Sequence, residues 1–504
     1  MTRLQPRLLP LVALASVALV AVGGPVLLRL GFYHDDWATL SFLHFSAPGL
    51  PARMASLARG TPALWFRPLD MPILAALYGL FGLRPLPWQL ALFSANVFLA
   101  EAVYRLLRRY ETPPRAALLG AALFLVYPNK DATMFWTALI LNSLALLCFL
   151  RAVLCQLDYV ETGRRSSLAL AAALLLASLA TYDQCFFLPC LWAVTPGLSR
   201  DGVPRRARVS LAAAAGVVAA FAFYKFWLVS HVLGFAYNKT ILLSPAHFLA
   251  VYRDGLGTAL GGGVILSVLR AAWSELRSSP ALSAAALALP WLIGTALGAD
   301  DAPAAAPRRT ELLILGAGVF LLGYLPIAVS DYFPTAFNHM NRINQVPVLG
   351  LILGATALFR RPRDLALGGG LASILLLAHA ASAGAWAESF RRQQDIKALI
   401  QAHAADWPAG TTLVLALPEP FVSGKAPLLL EYWDLSGAAQ IWTEDASRRA
   451  DVVNERTDFR PEGIVLRPGR APLPYDAVVF AAVERGVFAK VSYQNFRRVP
   501  LAGR

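Results

Sequence analysis

Long apolar runs alternate with short polar connectors along most of the chain. The runs cover about 8–30, 87–107, 115–129, 133–153, 167–181, 184–198, 209–230, 281–298, 312–330, 345–359 and 365–386. A helix needs about 20 apolar residues to cross a bilayer. The shorter runs meet that length by tilting or by borrowing flanking residues. The pattern predicts about eleven transmembrane helices. One more apolar stretch, 254–270, contains Gly261-Gly262-Gly263 and reads as an outer-side helix or a re-entrant piece.

After Trp386 the pattern changes. Ile396, Leu399, Ile400 and Ala404 recur at helical spacing. Trp407-Pro408-Ala409-Gly410 reads as a turn, and 411–417, 463–466, 477–482 and 487–492 read as strands. The expected architecture is an all-α polytopic membrane protein over 1–388, followed by a small soluble mixed α/β domain over 389–504. Between the first two runs lies a long loop, 31–86. Its segment 69–83 predicts an interfacial helix, with Trp65 and Trp88 as belt residues.

Charge orients the runs. Arg108, Arg109 and Arg115 share one connector; Arg164 and Arg165, then Arg200, Arg205, Arg206 and Arg208, occupy the next ones on the same side. Arg308 and Arg309, then Arg360, Arg361 and Arg363, continue the series. With eleven spans and a cytoplasmic N-terminus, every arginine-dense connector lies inside, as topogenesis requires. The loop 31–86 and the C-terminal domain then lie outside, which predicts a multi-pass protein of a bacterial inner membrane. The first run, preceded by Arg3 and Arg7, is longer than a signal-peptide core, so an uncleaved first helix is expected.

Composition agrees. The chain is 57% hydrophobic and 15% charged, more apolar than a soluble core of this length requires. The net charge of +14 would suggest a nucleic-acid partner, but the arginines cluster in the connectors, so none is expected. The four cysteines (Cys148, Cys155, Cys185, Cys190) form neither a CxxC pair nor a zinc spacing.

Candidate chemistry collects at the outer ends of the odd-numbered runs. His34, Asp35 and Asp36 follow the first, Lys130 and Asp131 the third, and Tyr182, Asp183 and Gln184 the fifth. Lys225 lies towards the outer end of the seventh, and Asp331, His339 and Arg342 follow the ninth. Ionisable groups at membrane depth are costly and face a cavity or one another. That predicts a wet pocket at the outer surface. Plainer roles stay open beside it. Asp35 or Asp36 would suit the cap of a helix starting at Trp37. Asp131 and Asp183 would suit solvated turns, Lys225 snorkelling, and Arg67 a pair with Asp70. The glycine triplets 261–263 and 368–370 would suit close helix packing.

Several short motifs occur together: the Asp-Asp pair after the first run, Phe66-Arg67-Pro68-Leu69, and Leu80-Phe81-Gly82-Leu83. Tyr127-Pro128-x-x-Asp131, Thr181-Tyr182-Asp183-Gln184, and Gly323-Tyr324-Leu325-Pro326 followed by Arg342 complete the set. Over roughly 1–390 the chain resembles the GT-C class of integral-membrane glycosyltransferases, in the branch related to protein O-mannosyltransferases and lipid A aminoarabinose transferases. The resemblance implies transfer of a sugar from a polyprenyl-phosphate donor to a glycan, lipid or protein acceptor on the outer face, with inversion. It implies Asp35 or Asp36 as general base, and Arg67, Lys225 and Arg342 as partners of the donor phosphate. His34, Lys130, Asp131, Tyr182 and Asp183 are then expected to line the pocket. The chemistry is consistent: an acceptor hydroxyl needs a base, carboxylates favour an oxocarbenium-like centre, and a departing phosphate needs a cation. A divalent cation, Mg or Mn, on Asp35 or Asp36 with a further carboxylate is an additional option, but two carboxylates without a clear third ligand make a weak site.

Two rival readings use the same features. A transporter or flippase of lipid-linked saccharide places charges at mid-span in repeated halves; here they sit at span ends and no repeat is visible. A polymerase or ligase should show a dominant late loop, whereas the large early loop here is the first. The topology is checked by reporter fusions after Trp386: a periplasmic reporter should be active and a cytoplasmic one silent. The opposite pattern would invert every side assigned above.

Overall fold

The computed structural model describes residues 8–193, 204–235, 241–296, 308–359, 361–417, 419–453, 457–467, 470–482 and 487–490. Each apolar run falls on helical structure. The run 8–30 becomes the helix Leu9–Ala21 and a 3-10 turn Gly24–Arg29, and the run 87–107 becomes Pro85–Arg109. The later runs give Pro114–Val126, Ile140–Thr162, Arg165–Thr181, Pro204–Ala222, Pro280–Ala296, Arg309–Ala328, Gln345–Thr356 and Pro362–Ala402. The run 184–198 departs from this pattern. Its described part holds two short 3-10 pieces, Asp183–Cys185 and Leu188–Ala193, and 194–198 lies outside the described residues, as does 297–298 of the run 281–298.

Among the described residues, six helical stretches are long and apolar enough to cross a membrane: Pro85–Arg109, Thr137–Thr162, Arg205–Val232, Pro245–Ser278, Arg309–Ala328 and Pro362–Ala402. Shorter apolar helices accompany them. The protein is a polytopic helical membrane protein with a small α/β part at its C-terminal end. Pro245–Ser278 contains the stretch read above as an outer-side or re-entrant piece. It is two helices, Pro245–Leu260 and Gly262–Ser278, broken at Gly261, where ψ is 141°. By length and composition it qualifies as a span, and its crossing would reverse the side of every loop after it.

The chain divides into two compact units. The first comprises Met1–Leu27, Pro62–Met71 and Gln89–Gly384, and is helical. Ile140–Thr162 and Arg165–Thr181 form a hairpin around Gly163, whose left-handed backbone (φ 73°) ends the first helix. The closest helix crossing joins Arg309–Ala328 to Gln345–Thr356. A Cβ at Gly316 would lie 2.7 Å from the Gly350 oxygen, and one at Gly350 2.4 Å from the Phe320 nitrogen. This is the small-residue packing that membrane helices use. The sequence assigned that role to the triplets 261–263 and 368–370. Gly368 fits it, against Leu119, but Gly262, Gly263 and Gly370 have nothing near their Cβ positions.

The second unit comprises Leu28–Thr61, Pro72–Trp88 and Ala385–Arg504. Most of the first loop thus folds with the C-terminal part, a grouping that the linear division at residue 388 did not contain. Its sheet runs in the order Arg449–Val452, Thr412–Ala416, Val478–Ala482, Val487–Lys490, the first three parallel and the last antiparallel. The central strands are continuous apolar segments, as strands covered on both faces should be. Val414, Ile464, Val478 and Phe480 form their core. The helix Tyr432–Thr443 connects Thr412–Ala416 to its parallel neighbour Arg449–Val452 and opens with a capping box between Glu431 and Asp434.

That helix lies directly on the helix Asp35–His44. A Cβ at Gly437 would come within 2.5 Å of the Trp37 carbonyl oxygen and 2.6 Å of its carbon. Backbone cannot yield as a side chain can, so Gly437→Ala should cost about 1–3 kcal/mol. Thermal unfolding in detergent measures this; an unchanged midpoint would mean that the helices do not approach this closely.

Candidate functional site

Two polar clusters stand out, one in each unit. In the second unit the stretch Gly31 to Trp37 is held on every side. The Gly31 nitrogen donates to the Tyr33 hydroxyl (3.1 Å), which donates to the Trp386 carbonyl (2.8 Å), and the two rings meet edge to face. A Cβ on Gly31 would overlap the Phe390 ring. Trp37 donates its indole N–H to Gln393 (2.7 Å). His34 adopts φ 48° and ψ −129°, a conformation that costs a non-glycine residue about 1–3 kcal/mol.

The two carboxylates at the start of the helix Asp35–His44 differ in surroundings. Asp36 is buried, and its Oδ2 accepts the Tyr33 backbone N–H at 2.8 Å. Asp35 is half exposed, and its Oδ1 accepts the indole N–H of Trp433 at 2.9 Å. His34 Nδ1 lies 2.8 Å from Asp434 Oδ2 and 3.8 Å from Asp35 Oδ1. Asp434 Oδ2 also accepts the backbone N–H groups of Leu430 and Glu431 (3.1 and 3.2 Å). An oxygen that already accepts two bonds takes a third from a donor, which places the shared proton on His34. Burial pushes the Asp434 carboxyl above the usual range, while His34 acts to lower it.

The sequence left open a metal on Asp35 or Asp36 with a further carboxylate. The described residues bring His34, Asp35 and Asp434 together, with one ligand atom each inside 4.8 Å. Asp36 is turned to the Tyr33 backbone. An ion on these three would compete with the His34–Asp434 bond for the same nitrogen.

In the first unit, residues from four segments meet. The Leu69 nitrogen donates to the Ala180 carbonyl (3.1 Å), which ties the loop carrying Arg67 to the end of the helix Arg165–Thr181. The Arg67 guanidinium lies 4.8 Å from the Tyr182 ring centroid and 4.0 Å from Asp70. Lys225 pairs with Asp183. Burial opposes the charge on Arg67, but Tyr182, Asp183, Asp70 and Tyr332 together favour it and raise its pKa. Asp70 is fully buried, and neither carboxylate oxygen has a hydrogen-bond partner. Burial pushes its pKa well up, Arg67 opposes this, and Asp183 adds to it. Lys225 is 3% exposed and ion-paired, so it does not snorkel. It sits in a π-helical stretch, Phe223–Val232.

Lys130 and Asp131 were expected in a wet pocket or a solvated turn, and both are buried instead. Asp131 accepts from Asn341 (2.6 Å), and Asn344 donates to the Asn129 carbonyl (2.7 Å) and accepts from Tyr324 (2.9 Å). Lys130 points inward to the Leu125 carbonyl (3.4 Å) and the Phe124 ring, and burial pushes its pKa down to about 7. Arg342 lies over Trp136, 5.2 Å from the ring centroid, and donates to the His339 carbonyl (2.9 Å). Gln184 donates to the Ile343 carbonyl, which links the Tyr182–Gln184 turn to the segment carrying Arg342. Arg67, Tyr182, Asp183 and Lys225 thus form one partly open cluster, with Arg342 on an adjoining segment and Lys130 and Asp131 in the packed interior. Sequence reasoning missed Trp433 and Asp434. The spacing Glu431-x-x-Asp434 ahead of an apolar helix was the available signal.

No protein-family model and no curated protein matches the chain. Among solved structures it is similar to the crystal structure of ArnT from Cupriavidus metallidurans bound to undecaprenyl phosphate. The identity is 16%, over 88% of this chain and 86% of that one, with a TM-score of 0.40.

Asp70 generates a pH prediction. Its folded carboxyl binds a proton more tightly than the unfolded one, so the parent loses stability as pH rises from about 4 through the folded value. Asp70→Asn removes that loss. Its thermal midpoint relative to the parent should therefore climb between pH 4 and pH 8. A gap equal at both values would remove the raised-pKa reading.

Proposed function

We propose that the protein is a membrane glycosyltransferase of the GT-C type. It moves a sugar from a polyprenyl-phosphate donor to an acceptor hydroxyl. Asp35 takes the hydroxyl proton, the oxygen attacks the anomeric carbon opposite the phosphate, and the carbon–oxygen bond to phosphate breaks with inversion. The electron pair leaves with the polyprenyl phosphate, whose charge a cation meets.

The single observation that carries this reading is the cluster of Arg67, Tyr182, Asp183 and Lys225. Three segments far apart in sequence bring two cations to one partly open place in a helical membrane unit. Arg67 and Lys225 bring two cations to the cluster, and Asp183 pairs with Lys225. That suits the single negative charge of a phosphodiester. Asp35 is preferred to Asp36 as base because it is half exposed, while Asp36 is engaged by its own backbone.

One observation favours the flippase alternative. The Lys225–Asp183 pair lies against a π-helical part of the apolar stretch Arg205–Val232, and ion pairs within spans often mark transport paths.

Membranes containing the protein, supplied with radiolabelled undecaprenyl-phosphate hexoses and pentoses, separate the two readings. Transfer predicts a labelled product that Asp35→Asn reduces by roughly 10²–10⁴-fold. Asp36→Asn should lower thermal stability more than Asp35→Asn does. Full transfer by Asp35→Asn would reject its role as base. Movement of label across vesicles without a new product would favour the flippase.

A further inference from the structure

Trp433 and Asp434 belong to the helix Tyr432–Thr443, about 400 residues after the carboxylates of the first loop. Both turn back onto that loop. The Trp433 indole N–H donates to Asp35 (2.9 Å), and its ring lies roughly parallel to the His34 imidazole at 27°. Asp434 is fully buried and holds His34 through Nδ1 at 2.8 Å. The close approach at Gly437 sets the distance between the two helices.

We infer that Trp433 and Asp434 are positioning residues through which the C-terminal α/β fold orients Asp35 for proton abstraction. The inference rests on the assignment of Asp35 as base and deepens it. An exposed aspartate samples several rotamers, and a single donor from a rigid indole selects one of them. Asp434 acts one step further back. His34 sits in a strained backbone conformation beside Asp35, and the bond from Nδ1 to a buried, doubly anchored carboxylate fixes the ring orientation and the tautomer.

The arrangement has features that a plain domain contact does not need. Trp433 and Asp35 both keep solvent exposure, so their bond is not sealed inside the contact. Asp434 serves twice, as the capping-box residue of its own helix and as the acceptor for His34. Loss of the C-terminal fold would release both restraints together.

The test uses the full-length protein in detergent or nanodiscs, with the same radiolabelled undecaprenyl-phosphate sugars, and compares the parent with Trp433→Phe, Asp434→Asn and Asp35→Asn. Trp433→Phe keeps the ring and removes only the donor. It should leave the unfolding midpoint and donor KM unchanged and lower kcat about tenfold. Asp434→Asn should also lower kcat at constant KM. A second readout does not require activity. In protein labelled with 15N-tryptophan, the Trp433 indole N–H resonance should shift in Asp35→Asn relative to the parent, because its carboxylate acceptor is replaced. If Asp35→Asn is inactive while Trp433→Phe matches the parent in kcat, the positioning role is overturned and the base assignment stands. If Asp35→Asn keeps full transfer, both fall. An indole resonance that ignores Asp35→Asn overturns the bond itself.

Discussion

The second unit depends on a contact in which no side chain intervenes. Gly437 lets one helix rest on the Trp37 carbonyl of another, and all the nearby geometry follows from that approach. At this distance Trp37 reaches Gln393, its ring meets Trp442, Trp433 reaches Asp35, and Asp434 reaches His34. The strained backbone of His34 is tolerated because these contacts over-determine it. A larger residue at 437 would disturb the whole set at once, since neighbouring contacts of this kind do not add independently.

The first unit is organised by a different device. A chain of amides and hydroxyls (Gln89, Asn96, Ser143, Gln345, Asn341 and Asn344) runs through its interior and satisfies the backbone of the segment around residues 129–137. Irregular backbone within an apolar helical unit is tolerated only where such partners exist. That requirement explains why Asp131 is taken up by Asn341. It also separates the two kinds of charged residue here: those absorbed into the interior network, and those such as Arg67 and Asp183 that keep partial exposure.

The apolar runs were legible because about 20 residues of low polarity have few alternatives in water or lipid. Six helices match their runs to within a few residues, and the strands at 412–416, 463–465 and 478–482 match as well. The helix Tyr432–Thr443 was not legible. Its apolar face is short, and Ser436 and Gly437 interrupt it with weak helix formers. The strand Arg449–Val452 escaped because Arg449 and Asp451 hide its apolar character. For the site, the sequence identified the residues that meet around Arg67 but could not tell exposed from buried acids. Burial depends on what another segment brings, and pairing across hundreds of residues leaves no local periodicity to read. The association of the first loop with the C-terminal fold was hidden for the same reason.

Adjacent carboxylates at a helix start illustrate the point. Successive helical residues point about 100° apart, so two neighbours cannot share one environment. At Asp35 and Asp36 the first turn therefore had to place one acid inward and the other outward. The inward one, Asp36, meets the free Tyr33 N–H at the helix N-terminus, where a carboxylate is favoured by the unpaired N–H groups and the helix dipole. The outward one, Asp35, is held by an indole of the C-terminal fold. A sequence reader sees two equivalent aspartates. Helix geometry turns one acid to the local backbone and leaves the other half exposed, and it is the outward acid that the distant helix reaches.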